Sequence, residues 1–282
     1  ASEFDKLLTK YKPTVLVGVP THFEALTTNE RMRNDSLAQL KYVIAGGDTL
    51  NKNRVMKIND FLHEHGAKTN LTQGYGMTEA VAAVCFDIKT ATRPGSVGIP
   101  WPGTYVKIVD VATGEELGSG KDGEICICGP TVMLGYYKNE EATGQVIDKD
   151  GWLHTGDMAI IDSEGHIYIK GRCKNLLLTA SGQNIYPEEI ESKLNNMPYV
   201  SESLVILQQD KLVALVYPDN DDAFAHGLKH ADIERAMEEN RIELNKQLPA
   251  YSQITRCKLY PEEFEKTAKK SIKRFLYQDI KE

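Results

Sequence analysis

The stretch from Trp152 to Glu191 constrains this chain most, because it concentrates acids, glycines and turn residues between two bodies of different texture. At its centre stands Gly171-Arg172-Cys173-Lys174, a charged turn opened by glycine. The strand-like run His166 to Lys170 enters it and the apolar run Leu176 to Leu178 leaves it. Two packed segments meeting at such a turn read as a hinge. A chain of 282 residues, 41% of them hydrophobic, is long enough to bury a core on each side.

Upstream of the hinge the pattern is strand, loop, helix, strand. A helix-like Phe4 to Tyr11 precedes the apolar run Thr14 to Val19, a buried-strand pattern closed by Pro20. A second strand, Tyr42 to Ala45, ends in Gly46-Gly47-Asp48. The spacing then predicts a helix from about Asn51 to His65 with Gly66 as its stop. A third strand, Lys68 to Thr72, runs into a loop, Gln73-Gly74-Tyr75-Gly76-Met77-Thr78-Glu79. In open parallel sheets ligands bind at such carboxyl ends. From Gly95 to about Ile169 the texture changes to short strands with glycine turns. Downstream, helices are expected over Ile185 to Met197 and about Ala231 to Leu248, with strands at Ser203 to Leu207 and Leu212 to Tyr217. The fold class is therefore α/β plus α+β. An incomplete large domain covers residues 1–171 (1–94 α/β, 95–171 β-rich), and a small mobile α+β lid covers 172–282, with its hinge at 172–174.

Three loops carry chemistry. Tyr75-Gly76-Met77-Thr78-Glu79 offers glycine-freed amides, a hydroxyl and a carboxylate, a set suited to touching a phosphate while holding Mg²⁺ against it. Thr155-Gly156-Asp157 sets a carboxylate beside a glycine, able to accept both hydroxyls of a ribose. Arg172 adds a fixed, planar cation.

In this order and spacing, QGYGMTE, GWLHTGD and GRCKNLLLTASGQNIYPEEIE resemble the adenylate-forming superfamily of acyl-CoA synthetases, luciferases and peptide-synthetase adenylation domains. TVLVGVPTHFEAL and VIAGGDTL match the family's preceding segments, and LLLTASGQNIYPEEIE looks most like the long-chain fatty acid CoA ligases. The resemblance implies a two-step reaction with ATP, Mg²⁺ and CoA. A carboxylate attacks the α-phosphate of ATP, giving acyl-AMP and pyrophosphate, and the CoA thiol then displaces AMP. It further implies that Tyr75 stacks on adenine, with Gly46, Gly47, Asp48, Gln73 and Gly74 along the base edge. Thr78 touches phosphate, Glu79 helps hold Mg²⁺, Asp157 binds the ribose hydroxyls and Arg172 reinforces that grip. Lys174 falls at the family's hinge residue, and Ser181, Gly182 and Gln183 fall on its CoA tunnel, where a side chain in place of Gly182 would narrow the passage.

Two departures stand beside these matches. The family's glycine-rich phosphate loop lies upstream of anything present, so the chain resembles the carboxyl-terminal part of such an enzyme and is expected to be inactive by itself. At the tail, Glu265-Lys266-Thr267-Ala268-Lys269-Lys270-Ser271-Ile272-Lys273 puts Ser271 where the family has its catalytic lysine. A serine cannot supply the charge: either Lys270 or Lys269 reaches in instead, or the loop shifts by one, or adenylation is impaired while thioester formation survives. Two readings therefore stand: a fatty acid CoA ligase, with aryl-CoA ligase beside it, or a non-catalytic protein that binds nucleotide or acyl-adenylate.

The remaining features have plainer readings. A net charge of −7 repels nucleic acid on average and leaves small molecules as the expected partners, with peripheral membrane contact open. Five cysteines without framework spacing suit a reducing compartment, and the cytoplasm is the expected location. Cys126 and Cys128 read as packed thiols without a matching Cys or His pair, His63 and His65 as exposed at a helix end, and His22 as packed or lining an acyl pocket. Gly118-Ser119-Gly120-Lys121 lacks the flanking residues of a phosphate-binding loop and reads as a hairpin turn. The basic run from Lys266 to Arg274 reads as a solvated face or a site loop.

Overall fold

The computed structural model describes residues 3–47, 52–86, 93, 95–179, 182–267 and 271–278; the side chains of 33–34 and 52–53 are left aside. The chain divides into two compact units, Ala1–Ile169 and Lys170–Glu282.

In the first unit, α1 (Phe4–Tyr11) leads into β1 (Val15–Gly18), α2 (Pro20–Thr27), β2 (Tyr42–Ala45), α3 (Lys52–Glu64) and β3 (Leu71–Met77). Strands β1, β2 and β3 are parallel neighbours, and the sheet ends on β4 (Ala82–Phe86), antiparallel to β3. Pro20 does not simply close β1. It opens α2 as a first-turn proline, where its missing N–H costs nothing. Leu8, Phe23, Ile58 and Leu62 from the helices bury Leu16, Val43 and Leu71 of the sheet. Only Leu16 of β1 is buried, and Val15 and Val17 stand exposed. The run Thr14 to Val19 thus packs on one face among the described residues, where its composition predicts two.

The third strand also departs from expectation. Gln73 to Met77 form its second half rather than a loop, because β4 turns back and pairs Gly74 with Phe86 and Tyr75 with Cys85. Glycines that freed the backbone for a loop in the sequence reading here serve a close strand approach.

The β-rich part contains β5 (Tyr105–Val109), β6 (Glu116–Leu117), β7 (Gly123–Cys128), β8 (Leu153–Ile161) and β9 (Ile167–Arg172), in the order β6-β5-β7-β8-β9; α4 (Glu140–Val146) lies between β7 and β8. The boundary between the units falls within β9. Because β6 and β7 flank β5, the Gly118–Lys121 segment is no hairpin turn: it carries the chain past the end of β5, held by Gly120 N–H to Ile161 O at 2.8 Å. Ile108, Ile125, Ala159 and Ile167 form the core here, with Cys85 of β4 and the ring of Tyr75 packed into it.

In the second unit, β10 (Leu177–Leu178) pairs with β11 (Asn184–Ile185), and α5 (Pro187–Leu194), β12 (Val200–Gln208), β13 (Lys211–Pro218), α6 (Asn220–Ala225), α7 (His230–Asn245) and β14 (Arg256–Leu259) follow. Its sheet runs β12-β13-β14, with β12 antiparallel and β14 parallel to β13. Ile190, Leu194, Ile233, Met237 and Leu244 cover one face, and Phe264 and Tyr277 of the tail cover the other. Helices α5 and α7 stop near their asparagines, short of the expected Met197 and Leu248.

Candidate functional site

Gly76 sets the geometry of the β3–β4 hairpin. A Cβ at that position would lie 1.5 Å from the Ala82 carbonyl oxygen, so only glycine lets the two backbones approach. The turn closes through Thr78–Ala80 and a left-handed Val81 (φ 69°). This fold sends the Tyr75 ring into the core and its hydroxyl outward, where it donates to Asp157 Oδ2 at 2.6 Å. Eighty-two residues apart in sequence, two of the expected site residues thus meet.

Asp157 is held by its own turn. The Asp157 amide donates to Thr155 Oγ1 at 3.0 Å, Thr155 Oγ1 donates to Ile125 O at 2.7 Å, and the Gly156 amide donates to Glu124 Oε1 at 2.8 Å. Gly156 takes φ 70°, a left-handed conformation that favours glycine. Glu124's other oxygen receives His154 Nδ1 at 2.8 Å, and Cys126 Sγ lies 3.4 Å from the same nitrogen. Cys126 is a buried thiol, and the neighbour that spacing did not show is a single His, because β7 pairs it directly with His154 on β8. Glu124, Cys126 and His154 bring three ligand types within 4.8 Å of one another. The 2.8 Å nitrogen–oxygen contact is a hydrogen bond, shorter than the edge of about 3.3 Å between two ligands of a tetrahedral zinc. The cluster's evident work is to brace the Thr155-Gly156-Asp157 turn.

Gly46 and Gly74 face each other at the end of the β2–β3 pairing. A Cβ on Gly46 would lie 3.8 Å from Gly74 O, and Gly47 turns the chain with φ 85°. Glu79 is oriented by a residue the sequence reading missed. Tyr136 donates its hydroxyl to Glu79 Oε1 at 2.9 Å, the Met133 amide donates to Glu79 O at 2.8 Å, and Thr143 Oγ1 receives the Tyr136 amide at 2.9 Å. Glu79 holds the Tyr136 proton on, raising that phenol above its ordinary range. No local pattern links residues 57 apart, so spacing gave no signal for this contact. Thr78 stands in the turn beside Glu79, and the two offer oxygen ligands of the kind Mg²⁺ takes.

Arg172, Lys174, Gly182 and Gln183 belong to the second unit. Arg172 ends β9, and Lys174 is exposed in the turn Cys173–Asn175. The Gly182 amide donates to Thr179 O and the Gln183 amide to Thr179 Oγ1, at 2.9 and 3.1 Å. Gly182 has φ 75°, and a methyl placed there would meet no atom within 4 Å, so its backbone, not crowding within this chain, calls for glycine. Asp48, Ser181 and Lys270 lie outside the described residues, as does Lys269. The described residues that flank Lys269 and Lys270 pair as the arms of a hairpin, with Thr267 N–H to Ser271 O and Lys273 N–H to Glu265 O, each at 2.8 Å. Lys266 pairs with Glu202, and Lys273 with Glu265 at 3.0 Å.

Behind that hairpin, Arg274 donates to Glu191, whose other oxygen receives the Val205 amide at 2.6 Å. Burial is the larger influence on Glu191 and pushes its carboxyl up to about 7, against the pull of Arg274 and of the amide. Folding thus favours the protonated acid. Its contribution to stability is complete below the ordinary glutamate range and is lost as pH rises through about 7. Between about pH 5 and about pH 8 the second unit should lose on the order of 2 kcal/mol that Glu191→Gln does not lose. Urea unfolding of both proteins at the two pH values checks this, and parallel behaviour would contradict it.

The remaining histidines are packed or exposed without a ligand set among the described residues. His65 Nδ1 donates to Phe61 O (2.7 Å) and its ring lies tilted against Phe61, so it is less exposed than expected, while His63 is exposed. His22 stacks on Phe4. Among the described residues no helix is long and apolar enough to cross a membrane.

Residues 1–137 match the AMP-binding enzyme family, and residues 174–279 match the AMP-binding enzyme C-terminal domain. A probable 4-coumarate–CoA ligase 2 of Dictyostelium discoideum is 38% identical over 205 residues, covering 72% of this chain and 36% of that protein. A long-chain-fatty-acid–CoA ligase of Escherichia coli O157:H7 is 38% identical over 203 residues, covering 70% of this chain and 34% of that one. The crystal structure of ATP-bound MatB from Rhodopseudomonas palustris superposes with a TM-score of 0.77 at 27% identity, over 98% of this chain and 53% of that one. The chain spans about a third of the length of the curated relatives it matches.

Proposed function

The chain belongs to the AMP-binding enzymes, the adenylate-forming family of acyl- and aryl-CoA ligases, and on that premise we propose that the whole protein activates a long-chain fatty acid as its acyl-AMP and passes the acyl group to CoA. The observation that carries this reading is the Tyr75–Asp157 hydrogen bond. It brings residues of two of the three motifs into contact, which supports reading them as one site, and Gly74 directly precedes Tyr75 on β3.

In this proposal the adenine ring lies against Tyr75, and Asp157 accepts the ribose hydroxyls. Thr78 reaches the α-phosphate, and Glu79, steadied by Tyr136, would hold Mg²⁺. The metal supplies charge neutralisation at the phosphates when bound. A fatty acid carboxylate oxygen attacks phosphorus, the bond to the bridging oxygen breaks, and pyrophosphate leaves with the electron pair. The CoA thiolate then attacks the acyl carbon and AMP departs. Both steps gather negative charge, which a fixed cation stabilises. Lys270 is that cation, in place of the Ser271 hydroxyl, and Arg172 reinforces the grip of Asp157 on the ribose. The second unit reorients about Lys174 between the two steps, and Ser181, Gly182 and Gln183 line the passage for CoA. The protein acts in the cytoplasm, with peripheral membrane contact as the route to its apolar acid.

The fatty acid preference draws support from the Escherichia coli relative, while the Dictyostelium relative supports a coumarate-like acid equally by identity. A second reading, a protein that binds nucleotide or acyl-adenylate without turnover, is favoured by Ser271 alone: it is exposed, uncharged and at the lysine's place in the motif. Exchange between ATP and pyrophosphate by the full-length protein, across fatty acids of rising length and 4-coumarate, decides among these. A maximum at long chains is the expected result. A maximum with 4-coumarate overturns the fatty acid assignment, and no exchange with any acid selects the binding protein.

A further inference from the structure

The helix α5 begins Pro187-Glu188-Glu189-Ile190-Glu191, and every one of its three glutamates is committed to a different part of the second unit. Glu189 Oε1 receives Lys170 Nζ at 2.8 Å, just before the turn that holds Lys174. Glu188 Oε1 receives Asn175 Nδ2 at 2.6 Å, just after it, and lies 4.0 Å from Arg274 Nε. Arg274 in turn donates to Glu191, which is tied to the central sheet through Val205. Glu188 is pressed close as well: a Cβ on Gly171 would lie 2.7 Å from Glu188 Oε2. One side chain therefore touches both the turn at 171–175 and the root of the tail hairpin.

Such an arrangement is poorly suited to adding stability. Glu188 and Glu191 sit one turn apart on the helix, a spacing at which the two carboxylates repel whenever both are ionised. Arg274 is largely buried, with its side chain 17% exposed, and taking its charge out of water offsets much of what the pairing returns. What the geometry does supply is registration. Lys273 and Glu265 clasp the described residues that flank Lys269 and Lys270, and Arg274 follows immediately, so the Glu188–Arg274 ion pair registers the root of that tail segment. In a reaction where a cation must meet a forming charge, misplacement by about 1 Å costs about a hundredfold in rate.

We propose that Glu188 is a positioning residue that clamps the Gly171–Asn175 turn to the tail loop at Arg274, so that the turn and the lysine-bearing loop move as one body. The proposal rests on the reading of that loop as the source of the cation for acyl-AMP formation. It accounts for the acidic start of α5 beyond its favourable placement at a helix amino end, since a dipole requires neither the Asn175 contact nor the Arg274 contact.

Hydrogen exchange on the 282-residue chain tests the clamp without any activity. Glu188→Gln and Asn175→Ala should each speed exchange about tenfold in peptides covering residues 171–179, and Glu188→Gln should also speed residues 262–267 and 271–274. Exchange in β12 and β13 should stay as in the unaltered chain. Gly171→Ala, which displaces the Glu188 carboxylate, should reproduce the Glu188→Gln pattern. Unchanged exchange at 171–179 overturns the clamp, and so does faster exchange spread over β12 and β13, which would mark a general loss of stability. In the full-length protein, Glu188→Gln should lower ATP and pyrophosphate exchange about tenfold at unchanged KM for ATP, while thioester formation from supplied acyl-AMP persists. Equal loss in both steps contradicts positioning of the adenylation cation. Absence of exchange in the unaltered protein would instead defeat the ligase reading, and the hydrogen-exchange result would still decide the clamp.

Discussion

Gly76→Ala should cost the first unit about 4 kcal/mol or more, the largest loss expected from any single methyl in the chain. The added carbon would meet Ala82 O at 1.5 Å, Ala82 C at 2.5 Å and Ala83 Cα at 2.9 Å. All three are backbone atoms, so no rotamer change relieves the overlap and the β3–β4 pairing itself must open. Opening it withdraws Tyr75 and Cys85 from the core they share with Ile108 and Ile125 and releases the turn that carries Glu79. Gly103→Ala is the matched control. It also adds a methyl, at φ 84°, but with nothing within 4 Å, and backbone strain alone costs about 1 kcal/mol. Both tryptophans, Trp101 and Trp152, lie in the first unit, so their fluorescence reports its unfolding separately from the second. At about 2–4 °C per kcal/mol for a unit of this size, the midpoint should fall by roughly 10 °C for Gly76→Ala and by only a few degrees for Gly103→Ala. Equal shifts for the two would remove the close approach as Gly76's reason.

That contrast also explains what could be read from the sequence. The parallel strands and amphipathic helices around Leu16, Val43 and Ile58 were legible because period and punctuation are local properties. The strand carrying Gln73 to Met77 was not, because glycines at 74 and 76 signal a loop and a close strand pairing equally well, and only β4 distinguishes them. Leu153–Ile161 was missed as a strand for a related reason: its Thr-Gly-Asp centre reads as a turn, and the bulge between the Glu124–Met158 and Cys126–His154 pairs absorbs it. Within the candidate site, Tyr75, Glu79 and Asp157 were singled out through motifs. Their supports were not. Tyr136, Glu124 and Glu188 act across gaps of 57, 32 and 13 residues, distances at which sequence carries no geometric signal.

Asp157→Ala in the full-length protein is expected to weaken ATP and AMP binding about a thousandfold, because two charge-assisted hydrogen bonds to the ribose hydroxyls contribute about 2 kcal/mol each. The Tyr75 hydroxyl donates to Oδ2 and so orients the carboxylate for this role. The truncation should leave the fold in place, since the turn hangs on Thr155 Oγ1, Ile125 O and Glu124 rather than on the Asp157 side chain. Lost affinity can therefore be read as lost contact once calorimetry is paired with an unchanged unfolding midpoint. Tyr75→Phe separates the two jobs assigned to the pair. It keeps the ring for adenine and removes only the hydroxyl that orients Asp157, so it should weaken binding about tenfold, and the double variant should be no weaker than Asp157→Ala by more than the ring's own share. If Asp157→Ala binds nucleotide with unchanged affinity, Asp157 has no ribose to hold, and the Tyr75 hydrogen bond is a structural tie between β3 and β8. If Tyr75→Phe alone matches the loss in Asp157→Ala, orientation of the carboxylate, not its charge, governs the site.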